Sequence, residues 1–169
     1  LIRVTGEDFH PPLYYLLVHG FIKLFGASEW IRLISVFFWL LTPLVAYQLG
    51  KSIKGKTLGM AGAVLTGVSP ILFTYAFEAR AYGLLTFLAV TSTWLFWLTL
   101  KGKVRGWQYM LVGIIGVYTH YYNWFILLAH GEMLAPLLHG EALDIVLRTE
   151  VLRSAARTLV FLPTFPLLE

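Results

Sequence analysis

Glu78 and Arg80 stand out chemically, because they lie in the stretch Ser69 to Tyr82, a polar island between two long apolar runs. A charge at the centre of a bilayer costs roughly 2.5–3.5 kcal/mol on insertion scales, so such a pair sits at an interface, faces the inside of a bundle, or does chemistry. The guanidinium is a two-pronged donor suited to a phosphate, and the carboxylate can take a proton. The plain alternative is a mutually neutralising ion pair that fixes a turn between two spans. Two further islands carry chemistry-bearing side chains: Asp8 and His10 ahead of Pro11-Pro12, and Thr119-His120-Tyr121-Tyr122-Asn123-Trp124. Histidine serves as ligand or acid/base, and tyrosine suits a sugar or a headgroup. The bland readings are that His10 bonds backbone beside the prolines and that the aromatics at 118–124 form an interfacial belt. His19, Lys23, His130 and His139 are read in the bland way. There is no His-Glu-x-x-His zinc pattern and no Gly-x-Ser-x-Gly elbow.

The elements that must position these islands are membrane helices. The chain has 169 residues, 58% of them hydrophobic and 13% charged, with a mean hydropathy of +0.73, too apolar for an ordinary soluble domain. Its net charge of +4 comes from short basic clusters between apolar runs, the layout of loops facing a cytoplasm and not of a nucleic-acid surface. Without cysteine, neither disulfides nor a thiolate metal site can form. The chain opens without Met and closes within a fresh apolar run, so it reads as a fragment truncated at both ends.

One membrane domain, an all-α polytopic helix bundle, is expected over 1–169. Residues 1–29 form an outer loop in which 13–25, too short for the ~20 residues of a span, make a helix lying in the interface with Tyr14 and Tyr15 at headgroup depth. Asp8 is placed to cap it. Spans are expected at 30–49, 57–77, 81–100, 107–119 and 123–138. Ser69-Pro70 should end or kink the second, and Gly59, Gly62 and Gly67 allow it a close helix neighbour. Residues 139–157 read as a cytoplasmic amphipathic segment and 158–169 as the start of a further span. If the basic clusters at 51–56, 101–105 and 148–157 all face inward, they hold nine of the thirteen Lys and Arg, and alternation places His10, Glu78 to Tyr82 and His120 to Tyr122 together outside.

The ordered set His10-Pro11-Pro12-Leu13-Tyr14-Tyr15, Trp30-Ile31-Arg32-Leu33, Ser69-Pro70, Glu78-Ala79-Arg80-Ala81-Tyr82 and Tyr118-Thr119-His120-Tyr121 closely resembles the polyprenyl- or dolichyl-phosphate-sugar dependent glycosyltransferases of the GT-C fold. It is most similar to family 39, the protein O-mannosyltransferase group, over nearly the whole chain. The resemblance implies an inverting enzyme of a prokaryotic plasma membrane, or of the endoplasmic reticulum, acting on the extracytoplasmic face. The donor would be a polyprenyl- or dolichyl-phosphate sugar and the acceptor a protein, lipid or glycan. It implies catalytic roles for Asp8, His10 and Glu78, and donor-phosphate or substrate binding by Arg80, Tyr82, His120, Tyr121 and Tyr122. The family's catalytic acid, in the first outer loop, is expected to precede Leu1. No cofactor is assigned; a divalent metal is left open near His10, where Phe9 stands in place of the acid many relatives carry and Asp8 is the available substitute.

Two other classes compete: a transporter subunit, which should show discontinuous helices and paired halves, and a non-catalytic membrane assembly module, whose islands should satisfy one another instead of lining a pocket. The topology is tested by cysteine labelling from outside, which should succeed near Ser28 or Asn123 and fail near Ser52. The reverse pattern would break up the shared site.

Overall fold

The computed structural model describes residues 11–26, 29–78 and 80–138. Asp8, His10, the amphipathic segment at 139–157 and the apolar start at 158–169 lie outside these. The described residues are helical: α1 (Leu13–Phe25), a 3-10 turn (Glu29–Ile31), α2 (Arg32–Lys54), α3 (Lys56–Gly67), α4 (Pro70–Ala76), α5 (Tyr82–Leu100), α6 (Gly106–Thr119) and α7 (Asn123–Leu138). The chain divides into two compact units, residues 1–124 and 125–169; all that follows concerns the first.

α2 and α5 are long and apolar enough to cross a membrane, and α3 with α4 makes a third candidate span bent by 54°. The bend lies where Ser69 and Pro70 interrupt the run. The Ser69 hydroxyl caps α4 by accepting from the Leu72 N–H, and Pro70 sits in the first turn, where its missing N–H costs nothing. α1, at 13 residues, is too short to cross. α6 has 14 residues and α7 has 16. Pro12 stands at the N-cap position of α1 and makes no side-chain cap there; the cap expected of Asp8 lies outside the described residues.

α2 is built inside out relative to a helix of a soluble protein. The buried positions of α2 are Ser35, Thr42, Ala46 and Gly50, all small, while Phe37, Leu40 and Leu44 face outward. Lipid offers apolar side chains no reason to turn inward, so association rests on close backbone approach and paired polar groups. Small residues supply the approach. A Cβ added at Gly50 would lie 2.6 Å from the Leu58 carbonyl oxygen and one at Gly59 2.7 Å from that of Tyr47, so the α2–α3 hairpin closes without side chains between its backbones. Gly62 meets Ala46 in the same seam, while Gly67 makes only ordinary contact with Pro43. The hairpin turns at Gly55, whose φ of +86° is open to glycine and strained for other residues. Buried hydroxyls are satisfied within their helices: Thr42 donates to the Phe38 carbonyl at 2.8 Å and Ser92 to that of Ala89 at 3.0 Å.

α2 and α5 run parallel, pinned at both ends. At one end a Cβ on Gly83 would lie 2.7 Å from the Ser35 carbonyl oxygen; at the other, the Trp97 indole N–H donates to the Ser52 carbonyl at 3.2 Å. α5 presents Leu84, Leu88, Ser92 and Phe96 as a buried stripe at i,i+4 spacing. Phe38 packs on Phe87 across the α2–α5 contact, Trp39 on Phe73 of α4, and Phe96 on Tyr109 of α6. The result has two chemically distinct ends. Lys51, Lys54, Lys56, Lys101, Lys103 and Arg105 are exposed at one, with Lys51 over the Tyr47 ring and Lys101 over Trp97. The tyrosines, His120 and the Glu78–Arg80 pair occupy the other.

The Gly83 crossing makes a stability prediction. Gly83→Leu must push α2 and α5 apart and should cost about 1–3 kcal/mol as an overpacked contact, whereas Gly20→Ala in α1, where a Cβ meets nothing within 4 Å, should be neutral or stabilising by up to about 1 kcal/mol. Thermal unfolding of the two variants in detergent separates them; equal midpoints would remove the crossing from the fold's essential contacts.

Candidate functional site

The start of α1, the turn between α4 and α5, and the end of α6 meet at the polar end. They enclose a cavity of about 220 Å³ lined by Pro11, Tyr14, Tyr15, Arg80, Ala81, Tyr82, Thr119 and His120. One pocket thus draws on all three islands of the sequence. Of the expected site residues, Arg80, Tyr82 and His120 line it. Glu78 lies beside it, its Oε2 3.4 Å from Arg80 Nε; Tyr121 and Tyr122 are exposed next to it. Its volume is below the roughly 300–1,000 Å³ of pockets that enclose a drug-sized ligand, so it suits a headgroup better than a whole lipid.

Arg80 is held by its backbone, not its side chain. The Ser35 hydroxyl, with Ser35 at 0% exposure, donates to the Arg80 carbonyl at 2.9 Å. That commits its one proton, so the 3.1 Å contact between Tyr14 Oη and Ser35 Oγ must have the tyrosine as donor. The guanidinium itself is 67% exposed, against 40% for the Glu78 side chain. An ion pair so open to water contributes little to stability, and it leaves the donors of Arg80 available to a ligand. Glu78 Oε2 is nevertheless buried and makes no hydrogen bond.

His120 is set by the turn that ends α6. Its N–H bonds to the Gly116 carbonyl at 3.0 Å and its carbonyl accepts from the Asn123 N–H at 3.1 Å. Its Nδ1 accepts from the Tyr122 N–H at 3.2 Å, which fixes the neutral tautomer with the proton on Nε2. The Tyr82 and Tyr122 rings lie tilted against its ring at centroid distances of 5.7 and 4.7 Å, and Tyr75 packs on Tyr82 at 4.7 Å. Such a platform of rings with a polar edge is the surface a sugar ring prefers. Asn123, fully buried, anchors the turn from below: Nδ2 donates to the Gly113 carbonyl at 3.3 Å, and a side chain at Gly116 would fall on it. Because Asn123 is buried, the outward labelling position moves to Tyr121, which is half exposed. Among the described residues no three His, Asp or Glu side chains converge to hold a metal.

Sequence reasoning missed Ser35 and did not foresee that Tyr14 turns inward. Ser35 was one small polar residue inside an apolar run, and Tyr14, expected at headgroup depth, is 4% exposed and packs with Leu84 and Leu88. A polar residue inside an apolar span is the one signal that could have pointed to Ser35. Burial pushes the Tyr14 hydroxyl above the ordinary tyrosine value of 10.0, with the Ser35 bond pulling back part of the shift. A raised folded-state value means the stability it confers is present below pH ~10 and lost as pH rises beyond, because the unfolded chain ionises first. Unfolding followed from pH 8 to 11 in detergent should therefore show a steeper loss above pH ~10 in the wild type than in Tyr14→Phe; parallel curves would refute it.

No curated protein and no solved structure matches the chain. The family model for dolichyl-phosphate-mannose-protein mannosyltransferase matches residues 9–167, a stretch that contains every residue lining the pocket and all the described helices. The chain therefore belongs to the dolichyl-phosphate-mannose-protein mannosyltransferase family, membrane glycosyltransferases of the mannosyltransferase type.

Proposed function

We propose that the pocket receives the sugar-phosphate headgroup of a polyprenyl-phosphate donor and that the full enzyme passes the sugar, a mannose or a close relative, to an acceptor on the extracytoplasmic face. The observation that carries the reading is the single cavity in which Arg80, Tyr82 and His120 come together from separate islands. An assembly module whose islands merely satisfied one another would have no need of it.

The chemistry asks for three things. The acceptor oxygen attacks the anomeric carbon, the bond from that carbon to the phosphate oxygen breaks, and the lipid phosphate leaves with the electron pair while the acceptor's proton passes to a base. The leaving phosphate needs donors that strengthen as charge develops; Arg80 and the Nε2–H of His120 have that character. The sugar needs a platform, which Tyr82 supplies. The base needs to be a carboxylate near the anomeric carbon; Glu78 is placed next to Arg80, and Asp8 and His10, just ahead of Pro11 in the sequence, are further candidates for proton transfer. Attack opposite the leaving group inverts the anomeric carbon. The lipid tail would run along the bundle's exposed apolar side chains, where no chemistry is required. The basic end fits the cytoplasmic face under the positive-inside rule, which puts the pocket on the other side.

Arg80→Ala in the full-length enzyme should slow transfer of labelled sugar from a polyprenyl-phosphate donor about thirty- to a thousand-fold. Arg80→Lys should recover only part, since a point charge cannot reproduce the fork. Glu78→Gln and His10→Ala should also lower turnover, whereas Lys54→Ala at the opposite end should not. Near-normal transfer by Arg80→Ala, with equal amounts of folded protein in the membrane, would remove it from the donor site.

A further inference from the structure

α1 is joined to the bundle in an unusual way. It has one buried residue, Tyr14, while Leu16, Leu17, Leu24 and Phe25 are exposed. That one side chain does three things: it fills the cluster with Leu84 and Leu88, lines the pocket, and donates its hydroxyl proton to Ser35, which donates in turn to the Arg80 carbonyl. The two bonds span three chain segments, and Ser35 has no exposure through which water could take over if Tyr14 withdrew. The stretch they hold is short: Tyr82 opens α5 immediately after, and Gly83 lies under the Ser35 backbone. The Arg80 peptide is thereby fixed between the α2–α5 crossing and the hydroxyl relay, while its guanidinium stays open to the pocket.

Resting on the donor-site reading above, we propose that Tyr14 and Ser35 are positioning residues for Arg80, and that docking of α1 through Tyr14 sets the arginine's geometry toward the donor phosphate. Two physical features favour this over a role in stability alone. The relay ends on the backbone of the residue that carries the charge, not on a helix interior. And α1, with Leu16, Leu17, Leu24 and Phe25 exposed, has on that side the surface of a helix that lies against lipid, so its seating on the bundle and the membrane's hold on it act on the same pocket. When Tyr14 leaves, Ser35 loses the donor that orients it, and the Arg80 carbonyl loses a partner whose direction is fixed.

The test is a double-mutant cycle in the full-length enzyme, in membranes carrying equal amounts of folded protein, reading sugar transfer from a polyprenyl-phosphate donor. Tyr14→Phe keeps the ring and removes only the hydroxyl; Ser35→Ala removes the middle of the relay. Each should lower transfer about five- to tenfold, the rate equivalent of one hydrogen bond. In the Arg80→Ala background, adding either should change transfer by less than about twofold, because its effect passes through the missing side chain. Effects that multiply in that background would show that Tyr14 and Ser35 act on transfer independently of Arg80, and unchanged transfer in both single variants would show that Arg80 does not need them; either result overturns the positioning role while leaving Arg80 at the donor. Normal transfer by Arg80→Ala would instead overturn the donor-site reading and the relay with it.

Discussion

The contact on which the rest of this molecule depends is the crossing of α2 and α5 at Ser35 and Gly83. With no Cβ on Gly83, the two backbones approach until the Ser35 carbonyl oxygen occupies the space a side chain would need. That approach puts the Ser35 hydroxyl within reach of the Arg80 carbonyl and of Tyr14, so a packing contact in lipid becomes the frame of a polar pocket. A larger residue at either position would separate the helices and break the relay together.

Lipid as a solvent explains why the frame takes this form. In water, burying leucine and phenylalanine would hold the helices together. In a bilayer those side chains are equally content outside, where Phe37, Leu40 and Leu44 are found, and the buried positions of α2 are left to serine, threonine, alanine and glycine. Each buried hydroxyl then needs a partner. Thr42 and Ser92 bond to carbonyls of their own helices. Ser35 reaches another segment, and it is the one hydroxyl of the three that touches the pocket's wall.

The two ends of the bundle divide their work by charge. Lysines at the last turn of α2 and just past α5 meet helix C-termini, where cations are favoured, and two of them rest on aromatic rings. The other end concentrates aromatic rings, an imidazole fixed in one tautomer, and a guanidinium left open. A reaction that expels a lipid-linked phosphate needs this kind of asymmetry: donors for the leaving group at one surface, and apolar helix faces beneath it for the tail.

Much of this was legible in the sequence because bilayer thickness and the cost of charge act on composition directly. Long apolar runs gave the helices, lysine clusters gave their ends, Ser69-Pro70 gave the bend between α3 and α4, and Glu78 with Arg80 marked an island that had to avoid hydrocarbon. The order of motifs from His10 to His120 was enough to identify the family. What the sequence left open is distance. The close crossing at Ser35 and Gly83, the inward turn of Tyr14 and the burial of Asn123 depend on which faces of separate helices meet, and in apolar runs with small residues on several faces, periodicity does not choose among them. Only the tertiary structure brought Pro11, Arg80 and His120 to one cavity and made Tyr14 a donor in a relay, because hydrogen bonds between residues 21 and 45 positions apart exist only once the helices have packed.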